Sequence, residues 1–286
     1  MLYKTSKLLF LSLILFLLSC SSDTGPIISS SLEATQFLNE TYGNEAKQDY
    51  DIYLPKDRTT DTPVIIMVHG GFWSAGDKAD MNLLVSIARN TSSEYAIVNT
   101  NYRLATTSSN KHPTQINDLS SLISELEAKK EDYQISSNYF FIGVSAGAHL
   151  SLLYTYQTDT NHKVKAVCSI TGPTDFLDPA YINSTNLQFQ IVGEQFLGDT
   201  FANNPTLYEN TSPITHVDAL DAPSILFYGG ADDLIPVSQA TRLRDKLTDV
   251  NVPVEYTLFP SVGHDLNGAD FNEIATKINA FFEQYK

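Results

Sequence analysis

The stretch from Phe140 to Leu150 constrains the fold most, because it joins a short apolar run, a Gly-X-Ser-X-Gly turn and small residues at helical spacing. A serine at a sharp turn between a strand and a helix has a strained backbone, so the residues two positions away must lack side chains that would clash. Gly143 and Gly147 meet that need around Ser145. The predicted helix also offers the N–H of Ala146 and a positive dipole end to an oxyanion. The pattern predicts a nucleophile elbow, although an ordinary turn can contain the same five residues.

Short apolar runs alternate with amphipathic segments through most of the chain. Runs rich in β-branched and aromatic residues predict parallel strands, apolar on both faces, at 64–68, 95–100, 139–142, 164–170, 224–228 and 254–259. Apolar residues at helical spacing predict helices at 79–89, 114–130, 146–156, 237–250 and 271–285. Ahead of them, residues 36–42 and 48–54 alternate polar and apolar around Gly43-Asn44, which predicts an antiparallel hairpin. The fold class is therefore α/β, with a mostly parallel, doubly wound sheet.

One long segment, residues 175–213, interrupts this alternation between the fourth and fifth of these runs. It contains three prolines, several Asn and Thr, and six aromatic residues. Segments of this length in compact domains are usually functional, so we interpret it as an inserted lid or cap that supplies most of the substrate-pocket lining. A decorated surface insertion is the alternative interpretation.

The first twenty residues have the layout of an export signal. Lys4 and Lys7 precede an apolar run over 8–18, which is too short to cross a bilayer as a stable helix. The run ends in Leu17-Leu18-Ser19-Cys20, which resembles a bacterial lipoprotein signal. We therefore expect residues 1–20 to be a signal peptide ending at a lipidated Cys20, residues 21–35 a flexible linker, and residues 36–286 an envelope-anchored domain. Secretion without an anchor is the alternative.

Charge and cysteine content narrow the function classes. The formal net charge is −15 and the isoelectric point is about 4.6, which argues against nucleic acid or anionic membrane surfaces as partners. Membrane contact is expected only through the lipid anchor. With Cys20 lipidated, Cys168 has no partner for an intrachain disulfide, and its apolar surroundings predict a small buried residue.

A second glycine motif follows the predicted strand 64–68. In His69-Gly70-Gly71-Phe72-Trp73, paired glycines at the carboxyl end of a strand leave backbone N–H groups open to a ligand. Gly71 and Phe72 are our candidates for the other oxyanion donors. His69 is interpreted as a brace for the loop, since a better candidate base lies downstream.

The remaining catalytic groups follow later strands. Adjacent carboxylates at Asp232 and Asp233 come after 224–228, and His264 comes after 254–259. The chain order Ser, Asp, His matches a nucleophile–acid–base arrangement in which the acid orients the imidazole. His149 is interpreted as structural. Because Asp, His and Cys show no ligand spacing, we predict no metal and no cofactor.

The motifs together resemble the α/β-hydrolase esterases grouped with bifunctional feruloyl and acetyl xylan esterases. The resemblance extends from about Asp49 onward and rests on 51–55, 69–73, 76–78, 101–104, 113–118, 143–150, 212–214 and the Asp232 and His264 segments. It implies Ser145 as nucleophile, His264 as base and Asp232 as acid, because the family's acid precedes a proline by four residues, as Asp232 precedes Pro236. Tyr228 and Ala148 depart from the pattern, where relatives often have His and Gly.

Two other functions are left open. The His-Gly-Gly-X-Trp loop and the run Ser145 to Leu150 are also similar to kynurenine formamidase, which is usually cytosolic. The export signal favours an esterase that acts outside the cell on an acylated carbohydrate or another small ester. A non-catalytic binding module with the same fold is the third reading, and the complete set of candidate catalytic residues argues against it.

Overall fold

The computed structural model describes residues 32–184, 187–266 and 271–286. The predicted signal peptide, Cys20 and most of the predicted linker lie outside these residues. Within the described part of the chain, no helix combines the length and the apolarity needed to cross a membrane.

The described residues form an eight-stranded sheet with the order β1-β2-β4-β3-β5-β6-β7-β8. Its strands are β1 (Thr35–Thr41), β2 (Asp49–Leu54), β3 (Val64–Val68), β4 (Ala96–Thr100), β5 (Tyr139–Val144), β6 (Val164–Ile170), β7 (Ser224–Gly229) and β8 (Val254–Phe259). The first two form the predicted antiparallel hairpin, and β2 also pairs antiparallel with β4. The other six are parallel, which confirms the predicted strands and fold class.

Helices connect the parallel strands. They are α1 (Asn82–Thr91), α2 (Thr114–Tyr133), α3 (Ala146–Leu153), α4 (Pro179–Ile182), α5 (Leu187–Leu197), α6 (Pro205–Asn210), α7 (Val237–Asp249) and α8 (Phe271–Phe282). The helix predicted over 79–89 begins instead with a 3-10 turn, Lys78–Met81, which Asp77 caps. The helix predicted over 146–156 ends as a π-helical turn, Tyr154–Thr158, after α3.

The sheet is covered on both faces. Successive residues of one strand, such as Ile65 and Ile66 of β3, belong to different hydrophobic clusters, and both side chains are fully buried. This alternation explains why the central strands have continuous apolar sequences.

The prediction of two apolar faces is wrong for β8. This strand lies at the edge of the sheet, Glu255 is exposed, and Leu258 keeps 39% of its surface in solvent. An edge strand has a neighbour on one side only, so helices cover it less completely.

Candidate active site

Ser145 lies in a strained turn between β5 and α3. Its φ of 51° and ψ of −118° fall outside the ordinary regions for a residue with a side chain. A Cβ on Gly143 would lie 2.4 Å from the Gly147 carbonyl oxygen, and a Cβ on Gly147 would lie 2.1 Å from the Val68 carbonyl oxygen. Both positions therefore require glycine, for the steric reason expected from the sequence.

Three predicted side chains meet at the carboxyl edge of the sheet. Ser145 Oγ lies 3.0 Å from His264 Nε2, and His264 Nδ1 lies 2.9 Å from Asp232 Oδ2. A carboxylate only accepts hydrogen bonds, so Nδ1 carries the proton and Nε2 is free to accept from the serine hydroxyl. The arrangement can take a proton from Ser145 Oγ and hold the resulting imidazolium.

Asp232 is fixed independently of the histidine. Its side chain is fully buried, and its Oδ1 accepts hydrogen bonds from the backbone N–H groups of Leu234 and Ile235, both at 2.8 Å. The adjacent Asp233 is exposed. Of the two carboxylates, the fold brings Asp232 to His264.

The glycine loop after β3 passes directly beside Ser145. A Cβ on Gly70 would lie 3.3 Å from Ser145 Cβ, and Gly71 has a φ of +108° at which a Cβ would lie 2.2 Å from the Ala75 carbonyl oxygen. Phe72 also has a positive φ, 54°. Among the described residues, none accepts a hydrogen bond from the N–H groups of Gly71, Phe72 or Ala146, so these donors are open to a ligand.

Trp73 and His149 join this loop to the helix of the elbow. Trp73 Nε1 donates to His149 Nδ1 at 3.1 Å, so Nε2 carries the proton and donates to the Thr211 carbonyl at 2.8 Å. Trp73 also stacks on Phe196 with ring centroids 4.5 Å apart, and Phe176 packs against His149 at 5.0 Å. Burial lowers the pKa of His149 to about 3, which makes it the neutral structural histidine expected from the sequence.

His69 braces the same loop from another side. Its ring stacks on Tyr102 with centroids 4.3 Å apart, and its Nδ1 lies 2.6 Å from the Gly70 carbonyl oxygen. Burial lowers the pKa of His69, so the ring is neutral. The ring has no contact with Ser145 that would make it a base.

A buried charge at Lys78 is not predicted from the sequence. Lys78 is 6% exposed, and its ammonium group contacts the carboxylates of Asp49 and Asp51, each at 2.7 Å. The Lys78 backbone N–H donates to Asn101 Oδ1 at 2.7 Å. A buried lysine needs charged partners, and here Asp49 and Asp51 of β2 provide them. Asn101, which follows β4, binds only the backbone N–H. The contacts hold the start of the 3-10 turn against the sheet.

A cavity of about 400 Å³ opens on Ser145. It is lined by the loop and the catalytic candidates, by the segment that begins α1, and by residues near His264: Gly70, Gly71, Phe72, Asp80, Met81, Leu83, Leu84, Val144, Ser145, Ile170, His264, Asp265, Leu266 and Phe271. None of these described lining residues belongs to the predicted lid segment. The expectation that residues 175–213 supply most of the lining is therefore wrong for the described residues, because α1 occupies that position instead.

The insertion has a cavity of its own, of about 250 Å³, lined by residues that include Phe176, Tyr181, Phe201 and Tyr208. Phe176 and Phe196 of the insertion pack against Trp73, and Phe176 also packs against His149, so the insertion contacts the glycine loop through Trp73. A lid role for this segment stays a prediction. Cys168 is fully buried, as predicted.

Comparison with known proteins places these features in a family. The chain is 28% identical over 263 residues to Esterase LipC of Mycobacterium tuberculosis, an alignment that covers 85% of this chain and 64% of the relative. Kynurenine formamidase of Danio rerio is 26% identical over 154 residues, covering 50% of this chain and 48% of that protein. The chain thus spans about half to two thirds of the length of these curated relatives.

Solved structures share the fold at low sequence identity. A bifunctional GH43-CE protein of Bacteroides eggerthii has a TM-score of 0.76 at 22% identity, covering 87% of this chain and 35% of its own. A truncated carbohydrate esterase from gut microbiota has a TM-score of 0.72 at 21% identity, covering 87% of this chain and 97% of its own. Residues 50–247, which include Ser145 and Asp232, match the BD-FAE family model. The chain has the α/β-hydrolase fold and belongs to the BD-FAE family.

Proposed function

We propose that this protein is a serine carboxylic-ester hydrolase that uses Ser145, His264 and Asp232 as a catalytic triad. The observation that carries the proposal is the continuous chain of short contacts from Ser145 Oγ through His264 to a buried Asp232. Related proteins named as esterases support the choice of reaction.

In the proposed mechanism, His264 Nε2 removes the Ser145 proton as Oγ attacks the ester carbonyl. Asp232 stabilises the imidazolium that forms, and Leu234 and Ile235 keep its carboxylate in place. His264 then gives the proton to the leaving alcohol and afterwards activates the water that releases the acyl group.

The N–H groups of Gly71, Phe72 and Ala146 are the proposed oxyanion donors. They have no accepting partner among the described residues, and Gly71 and Phe72 line the cavity that holds Ser145. A preorganised donor of this kind is worth roughly 10²- to 10³-fold in kcat.

We further propose that the enzyme is anchored in a bacterial envelope through a lipid on Cys20 and acts on an acylated carbohydrate or another small ester. The N-terminal signal pattern supports the anchor. Solved structures described as a carbohydrate esterase and an acetyl ester-xyloside bifunctional hydrolase share the fold and suggest the substrate class. Labelled palmitate should enter the wild-type chain in a bacterial host and not the Cys20→Ala variant, and equal labelling of the two would exclude the anchor.

The second candidate is a formamidase, favoured by the similarity to kynurenine formamidase. The direct test is release of acetate from acetylated xylo-oligosaccharides by the full chain, with N-formylkynurenine as a parallel substrate. Ser145→Ala should abolish acetate release, and Ser86→Ala, which changes an exposed serine of α1, should not. Turnover of the formamide alone would favour the second candidate. Acetate release that survives Ser145→Ala would exclude the triad.

A further inference from the structure

The cavity at Ser145 has walls that are mainly apolar. Met81, Ile170 and Leu266 line it and are each 2% exposed or less. Leu83 also lines it and is 60% exposed, which places this leucine at the mouth. An apolar interior with an apolar residue at the entrance favours a hydrophobic group over a sugar ring, whose hydroxyls would lose their hydrogen bonds to water.

The wall formed by the start of α1 is fixed in place before any ligand binds. Lys78 ties the preceding turn to β2 through Asp49 and Asp51, and the backbone N–H of Lys78 donates to Asn101. The Asp77 side chain caps the same turn, with Asp80 bonding back to the Asp77 N–H. Met81 and Leu84 are therefore presented on a rigid element, which lowers the cost of ordering a bound chain.

The charges around the cavity favour a neutral ligand. Its ionisable lining residues are Asp80, His264 and Asp265, and no Lys or Arg lines it among the described residues. A carboxylate on the bound group would lie near two acidic side chains and lose its hydration without gaining a partner.

From these features we infer that the cavity is the acyl subsite, and that the enzyme prefers esters of neutral medium-chain acyl groups, of about four to eight carbons, over acetyl esters. A methylene group takes up roughly the volume of a water molecule, about 30 Å³, so an eight-carbon chain fits within the cavity of about 400 Å³. The inference rests on the proposed ester hydrolysis at Ser145 and specifies its acyl group. The alcohol, which carries hydroxyls in a carbohydrate ester, lies outside the cavity toward solvent.

The test is a series of p-nitrophenyl acetate, butyrate, hexanoate and octanoate hydrolysed by the full chain. We expect kcat/KM to rise about fourfold for each added methylene, the ratio that corresponds to about 0.8 kcal/mol of transfer free energy, as far as hexanoate. A second series of ethyl, butyl and hexyl acetates should show no such rise. Acetate as the best acyl group, or a rise confined to the alcohol series, would overturn the inference.

A pair of tryptophan substitutions, one inside the cavity and one outside it, tests whether the preference for longer acyl groups arises in this cavity. Leu84→Trp narrows the cavity and should lower the hexanoate-to-acetate ratio of kcat/KM at least tenfold. Leu220→Trp, at a residue that is 73% exposed and does not line the cavity, should leave the ratio at its wild-type value. If Leu84→Trp does not fold, Leu83→Trp at the exposed mouth should lower the same ratio, and an unchanged ratio there would contradict the assignment.

Different results would exclude the proposed ester hydrolysis and the acyl subsite. If Ser145→Ala still hydrolyses every ester in the series, or if the wild-type chain hydrolyses none of them, the proposed function and this inference are both wrong. If hydrolysis requires Ser145 but kcat/KM does not change with acyl length, the proposed function stands and only the acyl subsite is excluded.

Discussion

Two histidines lie close to Ser145 in opposite surroundings. His264 keeps 16% of its side chain in solvent and contacts a buried carboxylate on one ring nitrogen and the serine hydroxyl on the other. His149 is fully buried between Trp73 and the Thr211 carbonyl, and its backbone N–H bonds to the Ser145 carbonyl at 3.1 Å. The two side chains differ mainly in whether a negative charge lies beside them.

The nearby carboxylate distinguishes the proposed general base, His264, from the structural histidine, His149. A histidine that accepts a proton needs a group that stabilises the imidazolium, and Asp232 supplies it for His264. The partners of His149 are an indole N–H and a backbone carbonyl, so burial lowers its pKa to about 3 and keeps it neutral. The His149 region can therefore position the glycine loop, and the His264 region can carry the proton.

The largest effect is expected where the proton is transferred. His264→Gln should lower kcat by about 10⁴-fold or more, because no other base contacts Ser145 Oγ among the described residues. Thermal unfolding of the variant should stay close to that of the wild type. Activity within tenfold of wild type would show that another group serves as the base.

The two neighbouring aspartates give the next test. Asp232→Asn should lower kcat by about 10⁴-fold, since an amide can hold His264 in the wrong tautomer. Asp233→Asn, at an exposed carboxylate, should change kcat less than twofold. Steady-state hydrolysis of one ester by both variants makes the comparison, and a larger loss in Asp233→Asn would reverse the assignment of the acid.

Substitution of the structural histidine, His149, should affect stability more than catalysis. His149→Ala leaves a void and an unpaired Trp73 N–H in a buried cluster, so the free energy of unfolding should fall by about 2–4 kcal/mol. Loosening of Gly71 and Phe72 should lower kcat about tenfold. Urea denaturation and ester kinetics measure both. The exposed His162→Asn serves as the control and should change neither.

Per pH unit, the smallest expected effect is the pH dependence of stability. The His149 pKa of about 3 in the fold lies below its ordinary 6.5, so the unfolded chain binds the extra proton between these values. This stabilising contribution is complete above about pH 6.5 and is lost as the pH falls toward 3, by up to about 1.4 kcal/mol per pH unit. The free energy of unfolding, measured by urea titration at several pH values, should depend less on pH in His149→Ala, and an equal pH dependence would mean that the fold does not lower the pKa of His149.

The strands that are buried on both faces of the sheet could be predicted from the sequence. The runs for β3 to β7 are mostly apolar because helices cover both faces, while β8 contains Glu255 and Thr257 because it forms an edge. The Gly-X-Ser-X-Gly and His-Gly-Gly patterns indicated the turn around Ser145 because their glycines are required by contacts within a few residues or with adjacent strands.

The burial of Lys78 and the position of the cavity wall could not be predicted, because they depend on contacts between residues far apart in sequence. Nothing in the residues around Lys78 indicates burial, since its partners Asp49 and Asp51 come from a strand more than twenty residues earlier. The length of the insertion predicts that it lines the cavity at Ser145, and this prediction is wrong for the described residues. The start of α1 provides the wall because the Lys78 contacts hold it beside Ser145.

Labelling with diisopropyl fluorophosphate, followed by mass spectrometry of the intact and digested protein, tests whether Ser145 is the nucleophile activated by His264. We expect one adduct per chain, on Ser145, with activity lost in proportion to labelling. We also expect no adduct in Ser145→Ala and much slower labelling in His264→Gln. An adduct on another residue, or full activity in a chain fully labelled at Ser145, would contradict this role of Ser145.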